Sequence, residues 1–230
     1  FLSLGRKPFL STKDEIALKE SVTKLGVGHK YFPIDVTHSD AANQALLAAI
    51  NNFGGLDILI SNAGAAHAGP MLDISNEELR NAFELNFFSH YSFSTEAAKI
   101  LKDQNRGGQI LFNISKQAVN PGKNFGAYGL PKATTFFLMR QLALELGSDG
   151  IRVNGINADR IRSGLLTDEF ISSRAKSRGV SESEYMAGNL LNKEVTAEHV
   201  ADAFTALACA ESTTGHVMTV DGGNIEASLR

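Results

Sequence analysis

The segment Tyr128-Gly129-Leu130-Pro131-Lys132 sets a phenol and an amine four residues apart, a spacing that puts both on one face of a helix. A tyrosine titrates near ~10 and is a poor base at neutral pH. A nearby cation favours the phenolate, giving an acid/base suited to alcohol and carbonyl chemistry. A surface Tyr/Lys pair has the same spacing, so the pair takes its meaning from its neighbours. Ser115 lies 13 residues earlier, where a strand-like run ends, and Pro121-Gly122 makes a turn between them. Its hydroxyl can hold a substrate oxygen against the phenol, or cap a turn. Asn62-Ala63-Gly64 ends another apolar run, with residues small enough for close approach of a ligand or a backbone, or for a tight turn. Asn86, inside Leu85-Asn86-Phe87-Phe88, is a polar residue in an apolar helical stretch. A buried amide must be hydrogen-bonded, so Asn86 is a brace or a site residue.

These residues need elements to hold them. Phe1–Leu4 reads as the tail of a strand, and Thr12-Lys13-Asp14-Glu15 as a capping box opening a helix to about Lys24. A strand covers His29 to Ile34. A helix with Leu46, Ile50 and Phe53 on one face then ends at Gly54-Gly55. Leu56 to Ile60 is a strand, and Ser75-Asn76-Glu77-Glu78 caps a long helix towards Lys102. Gln109–Ile114, Tyr128–Gly147 and Ile151–Ile156 follow as strand, helix and strand. A polar stretch with helical fragments fills 160–195, Thr196 opens a helix to about Cys209, and Val217–Val220 is a last strand. Strands without a polar face, alternating with helices, predict an α/β fold: a doubly wound parallel sheet, Rossmann-like, in a single domain over residues 1–230. Ligands of such sheets bind beyond the carboxyl ends of the strands, at the loops 35–37, 61–70, 115–125 and 158–165.

Composition narrows the classes. The 230 residues are 43% hydrophobic and 20% charged, with 22 Lys plus Arg against 25 Asp plus Glu, so the net charge is −3. That is globular usage without the basic excess of a nucleic-acid or anionic-membrane partner. One cysteine, Cys209, excludes an internal disulfide framework and fits a reducing compartment. No apolar run reaches the ~18–20 residues of a membrane span, since Phe136–Leu146 is broken by Arg140, Gln141 and Glu145. No secretory signal is present, and the expected location is cytoplasmic. Six histidines lack paired metal-ligand spacing, so no metal is expected. His67, just past Gly64, faces the substrate or the surface.

Together these residues resemble the short-chain dehydrogenase/reductase family over essentially the whole chain. The resemblance rests on Asp35-Val36, Asn62-Ala63-Gly64, Asn86, Ser115, Tyr128 with Lys132, Thr214-Gly215 and Val220-Asp221-Gly222-Gly223, in the family's order. It implies that Tyr128 is the general acid/base and Ser115 holds the substrate oxygen. Lys132 would bind the nicotinamide ribose and lower the tyrosine's pKa, and Asn86 would hold a relay water. Asp35 and Val36 would contact adenine, while Asn62, Ala63 and Gly64 line the adenosine side and brace the sheet. Ile161 and Ser163 match positions expected to meet the carboxamide. Within the family, Ser115 to Lys123 and Asn157-Ala158-Asp159 look like the dehydrogenase half of rhamnulose-phosphate aldolase/alcohol dehydrogenases and, more loosely, sorbitol-6-phosphate dehydrogenases. The basic stretch Arg174 to Val180 fits that comparison as a lid, or is a solvated face. The implied partner is a small alcohol or carbonyl compound: a hydroxyaldehyde, polyol or sugar phosphate. A homo-oligomer, dimer or tetramer, is also implied.

Three departures stand out. No glycine-rich phosphate turn occurs, so the first strand and that turn are expected to belong to a unit of about 30 residues preceding Phe1, leaving a hole in the sheet. Ala158-Asp159-Arg160 stands where the family has Pro-Gly, and Pro131 requires a helix starting near Tyr128, so that it falls in the first turn. For the cofactor, NADP is favoured over NAD. Beyond Phe1–Leu4 the chain reads Gly5-Arg6-Lys7 with no acid before Asp14, so Arg6 can clamp a 2′-phosphate, or merely coat a loop. Two other readings remain: a non-catalytic cofactor-binding or scaffold protein on this fold, and a sugar-nucleotide epimerase or dehydratase.

Overall fold

The computed structural model describes residues 7–26, 28–66, 68–164 and 166–224; the expected strand at Phe1–Leu4, Arg6 and His67 lie outside them. Among the described residues six strands, each parallel to its neighbour, are connected by helices. In chain order these are β1 (Phe9–Thr12), α1 (Glu15–Leu25), β2 (Lys30–Pro33), α2 (Ala41–Phe53), β3 (Ile58–Ser61), α3 (Asn76–Phe83) and α4 (Ser89–Gln104). There follow β4 (Gly108–Asn113), α5 (Gly126–Leu146), β5 (Ile151–Ala158), α6 (Asp168–Arg178), α7 (Glu182–Met186), α8 (Ala197–Cys209) and β6 (Val217–Val220). Among the described residues the strands form two hydrogen-bonded sheets, β1-β2 and β3-β4-β5-β6, every pair parallel.

The core follows the period-2 alternation of buried strands. Ile110 and Phe112 of β4 pack with Leu101 of α4 and Met139 of α5, while Leu111 between them points to the opposite face, against Phe204 and Leu207 of α8. Helices therefore cover both faces of the four-stranded sheet, and all its strand ends that carry candidate residues open to one edge. A smaller cluster joins Ile171 and Ala175 of α6 to Tyr185 and Met186 of α7.

Local signals account for most boundaries. Ser75 and Glu78 form the expected capping box at α3. Gly54 ends α2 in the left-handed conformation at φ 81°, which favours glycine because it has no Cβ. Four expectations need correction. β1 was not anticipated; it pairs with β2 from Phe9↔Lys30 to Thr12↔Pro33. Thr12 is therefore held in extended ladder geometry and does not cap α1. Asp14 does, accepting from the Ala17 amide at 2.9 Å. The long helix predicted towards Lys102 is interrupted at Glu84–Phe88 by a π-helical turn centred on Asn86. Finally, α5 starts at Gly126 with Phe125 as its N-cap, so Pro131 is its sixth residue and lies past the first turn.

Candidate functional site

The carboxyl ends of β3 and β4 and the start of α5 bring the predicted residues together. Tyr128 and Lys132 lie on the buried face of α5, 8% and 2% exposed, with Nζ 5.8 Å from the centroid of the tyrosine ring. Lys132 Nζ donates to the Asn113 carbonyl at the end of β4, 2.9 Å away. Just past β3, the neighbouring strand, Asn62 Oδ1 accepts from Asn113 Nδ2 at 2.7 Å, tying the two strand ends as a brace. Gly64 approaches so closely that a Cβ there would lie 2.8 Å from Asn86 Oδ1 and 3.6 Å from Lys132 Nζ. Asn86, 1% exposed, donates through Nδ2 to the carbonyls of Ala65 (2.9 Å) and Ala82 (3.1 Å), and its Oδ1 accepts from the Ala65 amide. Its side chain thus braces the loop after β3, while Thr135 of α5 donates to its main-chain carbonyl at 2.8 Å. The π-turn widens the helix by one residue, a feature often found at functional sites, and here it carries this asparagine.

Ser115 follows β4 and does two things. Its Oγ accepts from the Gln117 amide at 3.2 Å, capping the 3₁₀ turn Lys116–Ala118, and it hydrogen-bonds the Tyr128 phenol. The electrostatics differ from expectation. Burial pushes the Tyr128 phenol above its usual value, and the Ser115 hydrogen bond only partly opposes this. Lys132 does not reverse the balance, because its ammonium is engaged by the Asn113 carbonyl rather than by the phenol oxygen. Burial in turn pulls Lys132 down to about 8. Among the described residues no carboxylate pairs with this ammonium, and the Asn113 carbonyl dipole holds it.

Asp35 lies after β2, its carboxylate held low by the Thr37 amide and hydroxyl (3.0 and 2.7 Å), so it closes its own turn. Val36 beside it is half-buried. Ile161 and Ser163 lie on the loop after β5, which folds on itself: Ser163 Oγ donates to the Ile161 carbonyl at 3.2 Å. At Ala158-Asp159-Arg160, where the resembled family has Pro-Gly, an ionic group closes the loop. The Asp159 carboxylate, 8% exposed, binds Lys116 Nζ at 2.9 Å, Arg160 Nε at 3.3 Å and Asn224 Nδ2 at 2.6 Å. Arg160 adopts φ 48° and stacks on the Tyr185 ring at 5.0 Å. The residue after Ser115 is thereby fastened to the loop after β5. A cavity of about 540 Å³ beside Arg160, Tyr185, Asn189 and Asn224 does not reach Tyr128 or Ser115.

Sequence reasoning overlooked two participants. His90 is 1% exposed, with Nδ1 2.6 Å from Ser61 Oγ and Nε2 3.5 Å from Lys132 Nζ. Its spacing of four from Asn86 was the available signal. Lys116, paired with Asp159, carried no signal, since 43 residues separate the two.

The profile of a family described as enoyl-(acyl carrier protein) reductase matches residues 5–224. The uncharacterized oxidoreductase YuxG of Bacillus subtilis (strain 168) is 35% identical over 198 residues, covering 83% of this chain and 29% of its own length. The chain thus spans less than a third of that relative. The 7α-hydroxysteroid dehydrogenase of Escherichia coli (strain K12) is 31% identical over 194 residues, covering 84% of this chain and 72% of that protein. The crystal structure of acetoin dehydrogenase from Enterobacter cloacae matches with a TM-score of 0.83 at 26% identity, covering 98% of this chain and 88% of that one. Among the described residues no helix is long and apolar enough to cross a membrane.

Proposed function

The chain belongs to the short-chain dehydrogenase/reductase family, whose members are NAD(P)-dependent oxidoreductases, and from that premise we propose that it interconverts a small alcohol and its carbonyl compound. The observation that carries this reading is the convergence of Tyr128, Ser115, Lys132 and Gly64 on one edge of the sheet. A nicotinamide cofactor, when bound, supplies or takes up the hydride. The residues fit such a group: Gly64 lets the backbone come close, and Lys132 offers a buried ammonium whose N–H groups are not all used by the protein. Asn62, Ala63, Gly64, Asp35, Val36, Ile161 and Ser163 would line it.

Ser115 holds the substrate oxygen against the Tyr128 phenol. Its hydroxyl serves both this contact and the turn that fixes it. The phenol, kept protonated by burial, gives its proton to that oxygen as the carbonyl is reduced, and takes it back in the oxidising direction. Lys132 binds a ribose hydroxyl, and Asn86 keeps the loop before it in place. We read residues 1–230 as one catalytic domain.

The substrate proposed is a small hydroxyaldehyde, polyol or sugar phosphate, as for the rhamnulose-phosphate and sorbitol-6-phosphate dehydrogenases the chain resembles. Two cations, Lys116 and Arg160, share the single carboxylate of Asp159 beside Ser115, and Arg174, Lys176 and Arg178 follow on α6, which supports an anionic substrate. For the cofactor NADP is favoured, on different residues than Arg6. The strand paired with β2 ends at Thr12 and is followed by Lys13, and the next acid, Asp14, is occupied capping α1. A carboxylate there would bind the 2′-hydroxyl of NAD and repel a 2′-phosphate; a lysine does the reverse. Exposed Leu130, Phe137 and Leu144, seven apart along α5, support a homo-oligomer. A cytoplasmic location fits the single cysteine.

The test is an absorbance screen with NADPH and NADH over glyceraldehyde, glyceraldehyde 3-phosphate, acetoin and sorbitol 6-phosphate. Tyr128→Phe should lower kcat by ~10²–10⁴-fold in any active pair. Absence of turnover throughout, or a Tyr128→Phe variant that keeps most of its kcat, would overturn the proposal.

A further inference from the structure

His90 is a buried titratable group with no part in the mechanism above, yet it touches the side chain on which that mechanism turns. It enters the site from the first turn of α4, one helical turn beyond the π-turn that carries Asn86. Its ring is enclosed by Ser61 and the Ala63 backbone at the end of β3, by Phe112 of β4 at 6.2 Å between centroids, and by Lys132 of α5. The only charge among these neighbours is the ammonium of Lys132.

We propose that His90 is a positioning residue for Lys132: a neutral imidazole whose Nε2 accepts from the ammonium, while Ser61 holds the ring proton on Nδ1. The tautomer follows from the donor inventory. An ammonium has only donors, so the nitrogen 3.5 Å from it must present its lone pair, and the proton therefore resides on Nδ1. Nδ1 then donates to Ser61 Oγ at 2.6 Å. Burial first, and the Lys132 charge second, hold the imidazolium form far below its ordinary range, against the opposing effect of the Ala63 backbone, so the ring remains neutral wherever the protein is folded near neutrality.

The consequence falls on the lysine. Among the described residues its buried ammonium has two protein acceptors, the Asn113 carbonyl from β4 and His90 Nε2 from α4, and these pull from two sides. Such a charge is sustained by the dipoles aimed at it, and each of them decides both how charged the amine is and where its remaining N–H points. Ser61 and His90 thus set the charge and direction of the Lys132 ammonium without touching substrate. Asn86 cannot substitute, because its amide is committed to Ala65 and Ala82.

This inference rests on the reading of Lys132 as a site lysine, but its test does not depend on turnover. The Lys132 side chain of the whole protein is titrated by carbon-13 NMR without added ligand, with Lys132→Met used for assignment. In His90→Leu the lysine should titrate about one pH unit lower than in the wild type. His90→Gln, whose amide can accept from Nζ and donate to Ser61, should return it close to wild type. In kinetics, the alkaline limb of kcat should move down in His90→Leu while the substrate KM holds. An unmoved lysine in His90→Leu, or a His90→Gln variant no closer to wild type than His90→Leu, overturns the proposal. If His90→Leu does not fold, Ser61→Ala decides. Without Oγ the ring proton keeps only the Ala63 backbone as a partner and is less firmly held away from Nε2, so the lysine should again titrate lower, by less than in His90→Leu, and an unchanged titration overturns it. A shifted lysine in a protein that turns over no alcohol or carbonyl supports His90 and refutes the hydride-transfer reading; intact turnover with an unshifted lysine does the opposite.

Discussion

Replacing Lys132 with methionine should remove function and abolish a defined pH dependence of stability. Burial lowers this amine from 10.5 to about 8, so below pH 8 the folded protein holds a charge that the unfolded chain carries more comfortably. At about 1.4 kcal/mol per unit of pKa, the folded state is disfavoured by roughly 3 kcal/mol at pH 7. Methionine has a similar shape and no charge, so it removes that cost but strands the Asn113 carbonyl and His90 Nε2, at about 1–3 kcal/mol each. At pH 7 the two effects are of similar size and oppose each other, so the pH dependence carries the prediction. The pH dependence separates this from a packing effect. Between pH 8 and 10.5 the unfolded state binds more protons at this site than the folded one, so wild-type stability should rise with pH across that window. Urea denaturation of both proteins at pH 7 and pH 10 reads the difference, and subtracting one from the other cancels the remaining groups. The wild type should gain about 2–3 kcal/mol more than Lys132→Met over that interval. Parallel curves for the two proteins would refute the reasoning, because the buried ammonium would then not be the strained charge described.

Gly64→Ala would put a methyl 2.8 Å from Asn86 Oδ1, forcing the asparagine off Ala65. Steady-state kinetics should show kcat down by about 10²-fold with a lowered melting temperature, and an unchanged kcat would contradict the close approach. Lys13→Ala should lower the ratio of kcat/KM for NADPH over NADH by about tenfold, the worth of one charge-assisted contact. A ratio that favours NADH in the wild type, or one that does not move in the variant, would remove Lys13 from the cofactor site.

Signals confined to a few neighbouring residues were legible in the chain. The capping box at Ser75–Glu78, the glycine stop of α2, the strand at Val217–Val220 and the Tyr128/Lys132 pair all depend on contacts within one helical turn or on a simple alternation. The strand Phe9–Thr12 was not legible, since four half-buried residues with Ser11 and Thr12 show no contrast between faces. It exists because Lys30–Pro33 offers it a ladder. The early start of α5 was likewise invisible, and Pro131 suggested a later one.

By itself the amino-acid order determined the alternation of strands and helices, which loops face the sheet's functional edge, and which side chains have types fit for proton transfer. Those follow from hydrophobic period, caps and turn chemistry, all of them local. Only the tertiary structure decided how the site is charged. It buried Tyr128 so that the phenol's pKa rises rather than falls, and buried Lys132 against the Asn113 carbonyl. It turned Asn86 through a π-turn onto Ala65, brought His90 from 42 residues away to Lys132, and closed the loop after β5 with Asp159 and Lys116. Desolvation and the direction of a hydrogen bond depend on everything packed around a group, and residues far apart in the chain supply that surrounding only once the sheet has formed.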